Sequence, residues 1–338
     1  MRFKELTTEM SEGEYRGLDA FSYSLLKALD EGGPQAILEK VDRKSEALDY
    51  GTMVDILLTD PDSKDNIFHT KAIDKPTASL LELADALILE AVINDWDYAE
   101  VINQYRVEKK IADLGLWGNI KDESKRFEKW NIQLFHDYVF ESLAAKGKII
   151  TTPELLEAAT NSANVLKTHE YTKHYFEESE SCEVLKQAII LYKFKGCAGK
   201  AKLDLIKVDH EKKIIYPIDI KTGAELPSKF VNSFYHWKYY LQVVSYMLAI
   251  EYVRSRSEEF KDYTIAPFQF IYISKKLPTT PAIWEVPMTY LDMYANGWDG
   301  NRGFTQLVDD YKFYNENAAY DTERVVRENN GKLHIYLQ

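Results

Sequence analysis

Asp204, Asp219 and Lys221 are the residues of this sequence whose types and spacing best suit catalysis. Side chains on a strand alternate with period two, so Lys202 shares a face with Asp204, and Asp219 shares one with Lys221. A polar turn, Asp209-His-Glu-Lys-Lys213, separates the two stretches, and an antiparallel hairpin there brings the two aspartates together. Carboxylates aimed into one space raise each other's pKa unless a cation lies between them. Mg²⁺, or Mn²⁺ in its place, suits such a position because it is hard, prefers oxygen and is held by one or two carboxylates plus phosphate oxygens. The chemistry indicated is metal-assisted hydrolysis of a phosphate ester. Lys221 would orient or deprotonate the attacking water and stabilise transition-state charge. Downstream, Gln242 and Tyr246 stand at i and i+4, with Lys238 one turn earlier on the same stripe. An amide, a phenol and an ammonium in a row can hydrogen-bond a phosphate backbone or position the lysine.

Those side chains need strands ahead of a helix, and the sequence supplies that texture from Ser181 onward. Apolar or alternating stretches at 183–194, 200–208 and 214–221 read as three antiparallel strands. Residues 231–253 read as a helix, 264–274 and 282–287 as two more strands, and roughly 300–316 as a final helix before a polar tail. The first 150 residues read as helices. Ser22 can cap a helix through Leu29, and Leu48, Val54, Ile56 and Leu58 lie in a helical run stopped by Pro61. Ser79 with Glu82 has capping-box spacing. Helices are also expected near 98–113 and 123–145, and one more where Thr152 caps and Pro153 takes the first helical position. No repeat or linker divides the chain. The expectation is one elaborated domain over 1–338: a mainly helical part to about 170, a β-β-β-α-β core over 180–290, and a C-terminal helix and tail over 291–338. The fold class is α/β or α+β, with a mixed sheet flanked by helices.

Composition narrows the function classes. With 338 residues, 45% hydrophobic and 28% charged, and 25 Gly or Pro, the chain is a folded globular protein rather than a disordered or fibrous one. No apolar run approaches the roughly 20 residues that span a bilayer, and the N-terminus carries no apolar signal core, so no membrane partner is expected. Two cysteines, Cys182 and Cys197, are too few for a disulfide framework or a four-thiolate site, which points to a cytoplasmic location. The seven histidines form no HxxxH or HExxH pair, and neither a P-loop nor a GxSxG elbow occurs. The net charge of −12 argues against loose nucleic-acid binding. Between Tyr192 and Lys238, however, ten lysines stand against five acidic residues, a candidate basic stripe in an acidic body.

Asp204, a gap, Asp219-Ile-Lys-Thr222 and Gln242-x-x-x-Tyr246 together resemble the PD-(D/E)XK nuclease superfamily, within it the branch with D-x-K-T and Q-x-x-x-Y signatures. The wider chain resembles RecE-like (exodeoxyribonuclease VIII-like) proteins common in phages. That likeness includes Tyr15-Arg-Gly-Leu-Asp-Ala-Phe-Ser22-Tyr-Ser-Leu-Leu-Lys27, the Gly33-Pro34 pair and Gly51-Thr-Met-Val-Asp55. The resemblance implies a restriction-endonuclease-like core and a Mg²⁺-dependent 5′→3′ exonuclease acting on double-stranded DNA ends in recombination or DNA processing. Enzymes of this kind form homo-oligomeric rings, often work with a single-strand-annealing protein, and when phage-encoded act in the host cytoplasm. It implies Asp204, Asp219, Glu183 on the preceding strand, and Asp55 as metal ligands. Lys221, Asp219, Asp204 and Glu183 would be the catalytic set, and Gln242, Tyr246, Lys238 and Lys202 the substrate contacts. Where this branch commonly has Gly-x-x-x-His, the present chain has Asp55. Two other readings stay open: an endonuclease with the same core, and a catalytically silent fold that binds DNA ends or a protein partner.

Overall fold

The computed structural model describes residues 2–38, 46–59, 67–70, 74–145 and 148–332. Pro61, expected to stop a helix, lies outside the described residues. The chain divides into two compact units, one of residues 1–59 and 161–338, the other of residues 60–160.

The first unit is built on a mixed sheet. Strands β1 (Cys182–Phe194), β2 (Cys197–Asp209) and β3 (Ile214–Gly223) run antiparallel in sequence, as expected. Lys195 and Gly196 join the first pair with φ of 50° and 84°, the two positive values of a tight primed hairpin turn. After β3 the chain crosses over through helices to β4 (Phe268–Ser274), which pairs with β3 in parallel, and β5 (Leu277–Val286) returns antiparallel on the far side. Every residue of β4 is buried, as a strand covered on both faces requires. A two-residue strand, Thr264–Ile265, pairs with the start of β3; the expected strand 264–274 is interrupted at Ala266-Pro267, where proline has no N–H to donate.

Helices flank this sheet. Helix α1 covers Glu12–Gly17 and α2 Tyr23–Gly32; Ser22 caps α2 by accepting from Leu25 N at 3.3 Å. Helix α3 (Glu46–Thr59) packs against β3. The helix expected over 231–253 is two, α4 (Phe230–His236) and α5 (Tyr239–Arg254), because Lys238 adopts a left-handed φ of 55° between them. Helix α5 lies on β1 and β2, and ten of its residues from Tyr240 to Ile250 are buried. Helix α6 (Phe304–Asn317) closes the core with Phe304, Leu307 and Val308.

The second unit is helical around Leu83, Leu87, Val107, Ile111, Phe135 and Val139. Its long helix spans Ala78–Asn94 and starts after Thr77 without a side-chain cap, so the Ser79–Glu82 box is not used. The helix expected near 98–113 is broken at Ile102-Asn103, where Asn103 caps Gln104–Asp113; the one expected near 123–145 becomes Glu123–Phe127 and Gln133–Ala144. Helix Pro153–Thr168 follows, with Leu155 N donating to Thr152 Oγ1 at 3.2 Å. Among the described residues no helix is long and apolar enough to cross a membrane.

Candidate functional site

The site arises where β2 and β3 part. Their ladder runs from Asp209↔Ile214 to Leu205↔Ile218, so the next position would set Asp204 opposite Asp219. There pairing ends: β2 stays paired with β1 and β3 with β4. The Asp204 side chain takes over where the backbone bond is missing, Oδ2 accepting from Ile220 N at 2.8 Å. The two aspartates thus face one another in a fork of the sheet.

A third carboxylate comes from α3. Gly51 lies close to β3, where an added Cβ would meet Thr222 Oγ1 at 3.3 Å; Asp55 follows one turn later. Its two oxygens accept from Gln187 Nε2 at 2.7 and 2.8 Å, and the same nitrogen lies 3.5 Å from Asp204 Oδ1. Helix α3 is itself held by Tyr50 Oη to Ser162 Oγ at 2.8 Å and by Lys167 Nζ donating to Leu57 O at 3.0 Å.

On the other side of Asp219, Lys221 Nζ approaches Oδ2 at 2.5 Å and lies 4.7 Å from the centre of the Tyr239 ring. Gln242 Nε2 donates to Asp219 Oδ1 at 2.5 Å. Tyr246 donates to the carbonyl of Lys202 at 2.6 Å and meets the ring of Tyr23 edge-on at 5.7 Å. Burial pushes the Tyr23 phenol up to about 12, against the opposing charge of Lys221.

Electrostatics single out the same place. Burial first, then the charge of Asp204, pushes Asp55 up to about 8; the same two causes push Asp219 up to about 7 despite Lys221 beside it. For Lys221, burial pulls downward, but Asp219 outweighs it and the ammonium is held above its usual range. Two acceptor oxygens are buried without an aligned hydrogen bond, Asp219 Oδ2 and Gln242 Oε1. Asp55 and Asp219, both held toward the protonated form, and Asp204 beside them offer oxygens of the hard kind that suits Mg²⁺ or Mn²⁺. No three His, Cys, Asp or Glu side chains among the described residues close into a ready coordination cage. Gln187 and Lys221 instead provide hydrogen-bond or ionic partners to these acids.

Several expected members stand elsewhere. Glu183 is at the start of β1, paired with Val208, and its carboxylate accepts from Phe3 N at 2.8 Å and Lys4 N at 2.7 Å. It anchors the N-terminal segment, four residues along the strand from the fork; Gln187 is the β1 residue opposite Asp204. Lys238 pairs with Asp30. Lys202 pairs with Glu12 at 2.9 Å yet stays beside the site, its charge opposing the upward push on Asp55. Other lysines of the basic stripe are engaged within the fold as well. Lys195 pairs with Asp309, Lys212 with Asp209, Lys200 donates to the carbonyls of Tyr15 and Leu18, and Lys207 to that of His174. Gln242 and Tyr246 are both buried and brace Asp219 and β2 from behind. Gln187 and Tyr239 are site neighbours that carry no motif of their own, and Tyr23 lies in the Tyr15–Lys27 segment that the sequence singled out without a role for it.

No family model matches the chain, and no curated protein matches it. Among solved structures it is similar to a candidate exonuclease from Eubacterium rectale, with 13% identity, 98% of this chain and 97% of that chain covered, and a TM-score of 0.48.

Proposed function

We propose that the chain is a metal-dependent nuclease that hydrolyses phosphodiester bonds, with its site at the fork between β2 and β3. The observation that carries this reading is the convergence of Asp204, Asp219 and Asp55 beside the Lys221 ammonium. Asp204 and Asp219, with Asp55, would hold Mg²⁺ or Mn²⁺, which when bound supplies Lewis-acid stabilisation of a phosphate. Lys221 contributes a fixed positive charge and donors beside the reacting phosphate, and its position is set by Asp219 and by the face of Tyr239. Gln242 fixes the orientation of Asp219, and Ile220 N fixes that of Asp204, so neither acid must reorganise when substrate arrives.

The finer reading, a 5′→3′ exonuclease on double-stranded DNA ends, rests on the resemblance of the D-x-K-T and Q-x-x-x-Y signatures. Ring assembly and a single-strand-annealing partner belong to that same reading. The test is digestion of linear and covalently closed circular duplex DNA with Mg²⁺, Mn²⁺ or EDTA, with Lys221→Ala alongside. Loss of linear DNA alone, dependent on metal and on Lys221, supports the exonuclease; cutting of closed circles replaces it with an endonuclease. Absence of cleavage under every metal overturns the enzymatic reading.

A further inference from the structure

We infer that Gln187 is a place-holder for the cation: its amide occupies the space between Asp55 and Asp204 and competes with the metal for their oxygens, thereby setting the affinity of the site. The inference rests on the proposed metal site and deepens it. Two independent observations carry it. The first is contact geometry. One amide nitrogen lies 2.7 and 2.8 Å from the two oxygens of Asp55 and 3.5 Å from Asp204 Oδ1, so a single donor group serves two acids on different elements. The nitrogen end of the amide faces the two acids, so its partial positive charge stands where a divalent ion would be drawn.

The second observation is the backbone. Lys186 pairs with Leu205 and Ala188 with Leu203, yet Gln187 between them, opposite Asp204, drops out of the ladder and adopts a φ of 50°. That left-handed conformation in mid-strand is costly for a residue with a Cβ and persists only where surroundings over-determine it. The surroundings here are the two acids that its amide bridges. A cation entering at Mg–oxygen distances, roughly 2.1 Å, needs the same oxygens, so the amide has to leave them first.

The test is calorimetric titration of Mg²⁺ and Mn²⁺ into the full chain, wild type against Gln187→Gly and Gln187→Leu. Glycine accepts the left-handed φ without strain, so Gln187→Gly keeps the fold while removing the amide; Gln187→Leu keeps a Cβ and similar bulk. The expected result is binding about tenfold tighter in both variants, the size of a lost charge-assisted hydrogen bond. Unchanged affinity overturns the inference, and so does weaker binding, which would make Gln187 a supporting group for the metal. If wild type and variants alike bind neither cation, the metal site itself fails, and this inference with it; a wild type that binds while the variants bind no tighter removes the inference alone.

Discussion

Gln242 donates its amide to Oδ1 of Asp219 across 2.5 Å, and both residues are only 1% exposed. A buried carboxylate oxygen that loses its donor costs the group's desolvation rather than the modest net worth of one bond. Gln242→Ala is therefore expected to lose about 2 kcal/mol in urea unfolding, and to lower cleavage by loosening Asp219. Gln242→Glu sets a second acid against Asp219 and should be worse on both counts. A stability change confined to the Glu variant would contradict the bracing role.

Lys221→Ala and Asp219→Ala separate chemistry from architecture. Both should abolish measurable turnover. Their stabilities should differ, because Asp219 can take a proton when its lysine is gone, whereas removing Asp219 strips Lys221 and Gln242 of their shared partner. Asp219→Ala is expected to cost about 3 kcal/mol, in the range for breaking a buried pair. Asp219→Asn should retain most of that. Equal unfolding midpoints for the two alanine variants would count against this division.

The raised acids give the metal-free protein a definite pH dependence. Asp55 at about 8 and Asp219 at about 7 bind protons in the folded state that the unfolded chain, where an aspartate titrates near 3.8, has already released. Between pH 4 and 8 the native state holds more protons, so these groups make stability fall as pH rises, then level off above their folded values. Thermal melts with EDTA should show that slope, and Asp55→Asn should reduce it. Added Mg²⁺ should raise the melting temperature at pH 8 and do little at pH 5, where protons still occupy the oxygens.

Gly51→Ala tests how α3 is docked. Alanine improves helix propensity by about 1 kcal/mol, but its Cβ would press on Thr222 Oγ1 at 3.3 Å. The expected outcome is nearly unchanged stability together with weaker divalent-cation binding, since the displaced helix carries Asp55. Tighter or equal binding would show that α3 tolerates the shift.

The meeting of Asp204 with Asp219 was legible because a hairpin is arithmetic: each lies five residues from the Asp209↔Ile214 pair that opens the turn. The same counting back from Lys195-Gly196 places residue 187 opposite Asp204. Glu183 is the acid of that strand, whereas Gln187 has a neutral side chain that carries no metal-ligand signal in sequence. Its left-handed backbone leaves no trace in residue type. The mixed sheet and flanking helices followed from alternation and turn chemistry, whereas the breaks at Lys238 and Asn103 did not, since neither Gly nor Pro marks them. The lysine stripe was a matter of counting charges along the chain; in three dimensions Asp309, Glu12 and Asp30, from distant segments, pair with three of its lysines, and the Tyr15 carbonyl holds a fourth.

The fork between β2 and β3 also sets an exchange rate between robustness and use. Asp204 and Asp219 stand where two strands would otherwise continue their ladder. Valine at both positions would suit strand and core alike, and is expected to zip the sheet further and raise the melting temperature while leaving the protein inert. Selection for stability alone would close this opening, so its persistence measures what the chain gives up to keep two acids within reach of each other.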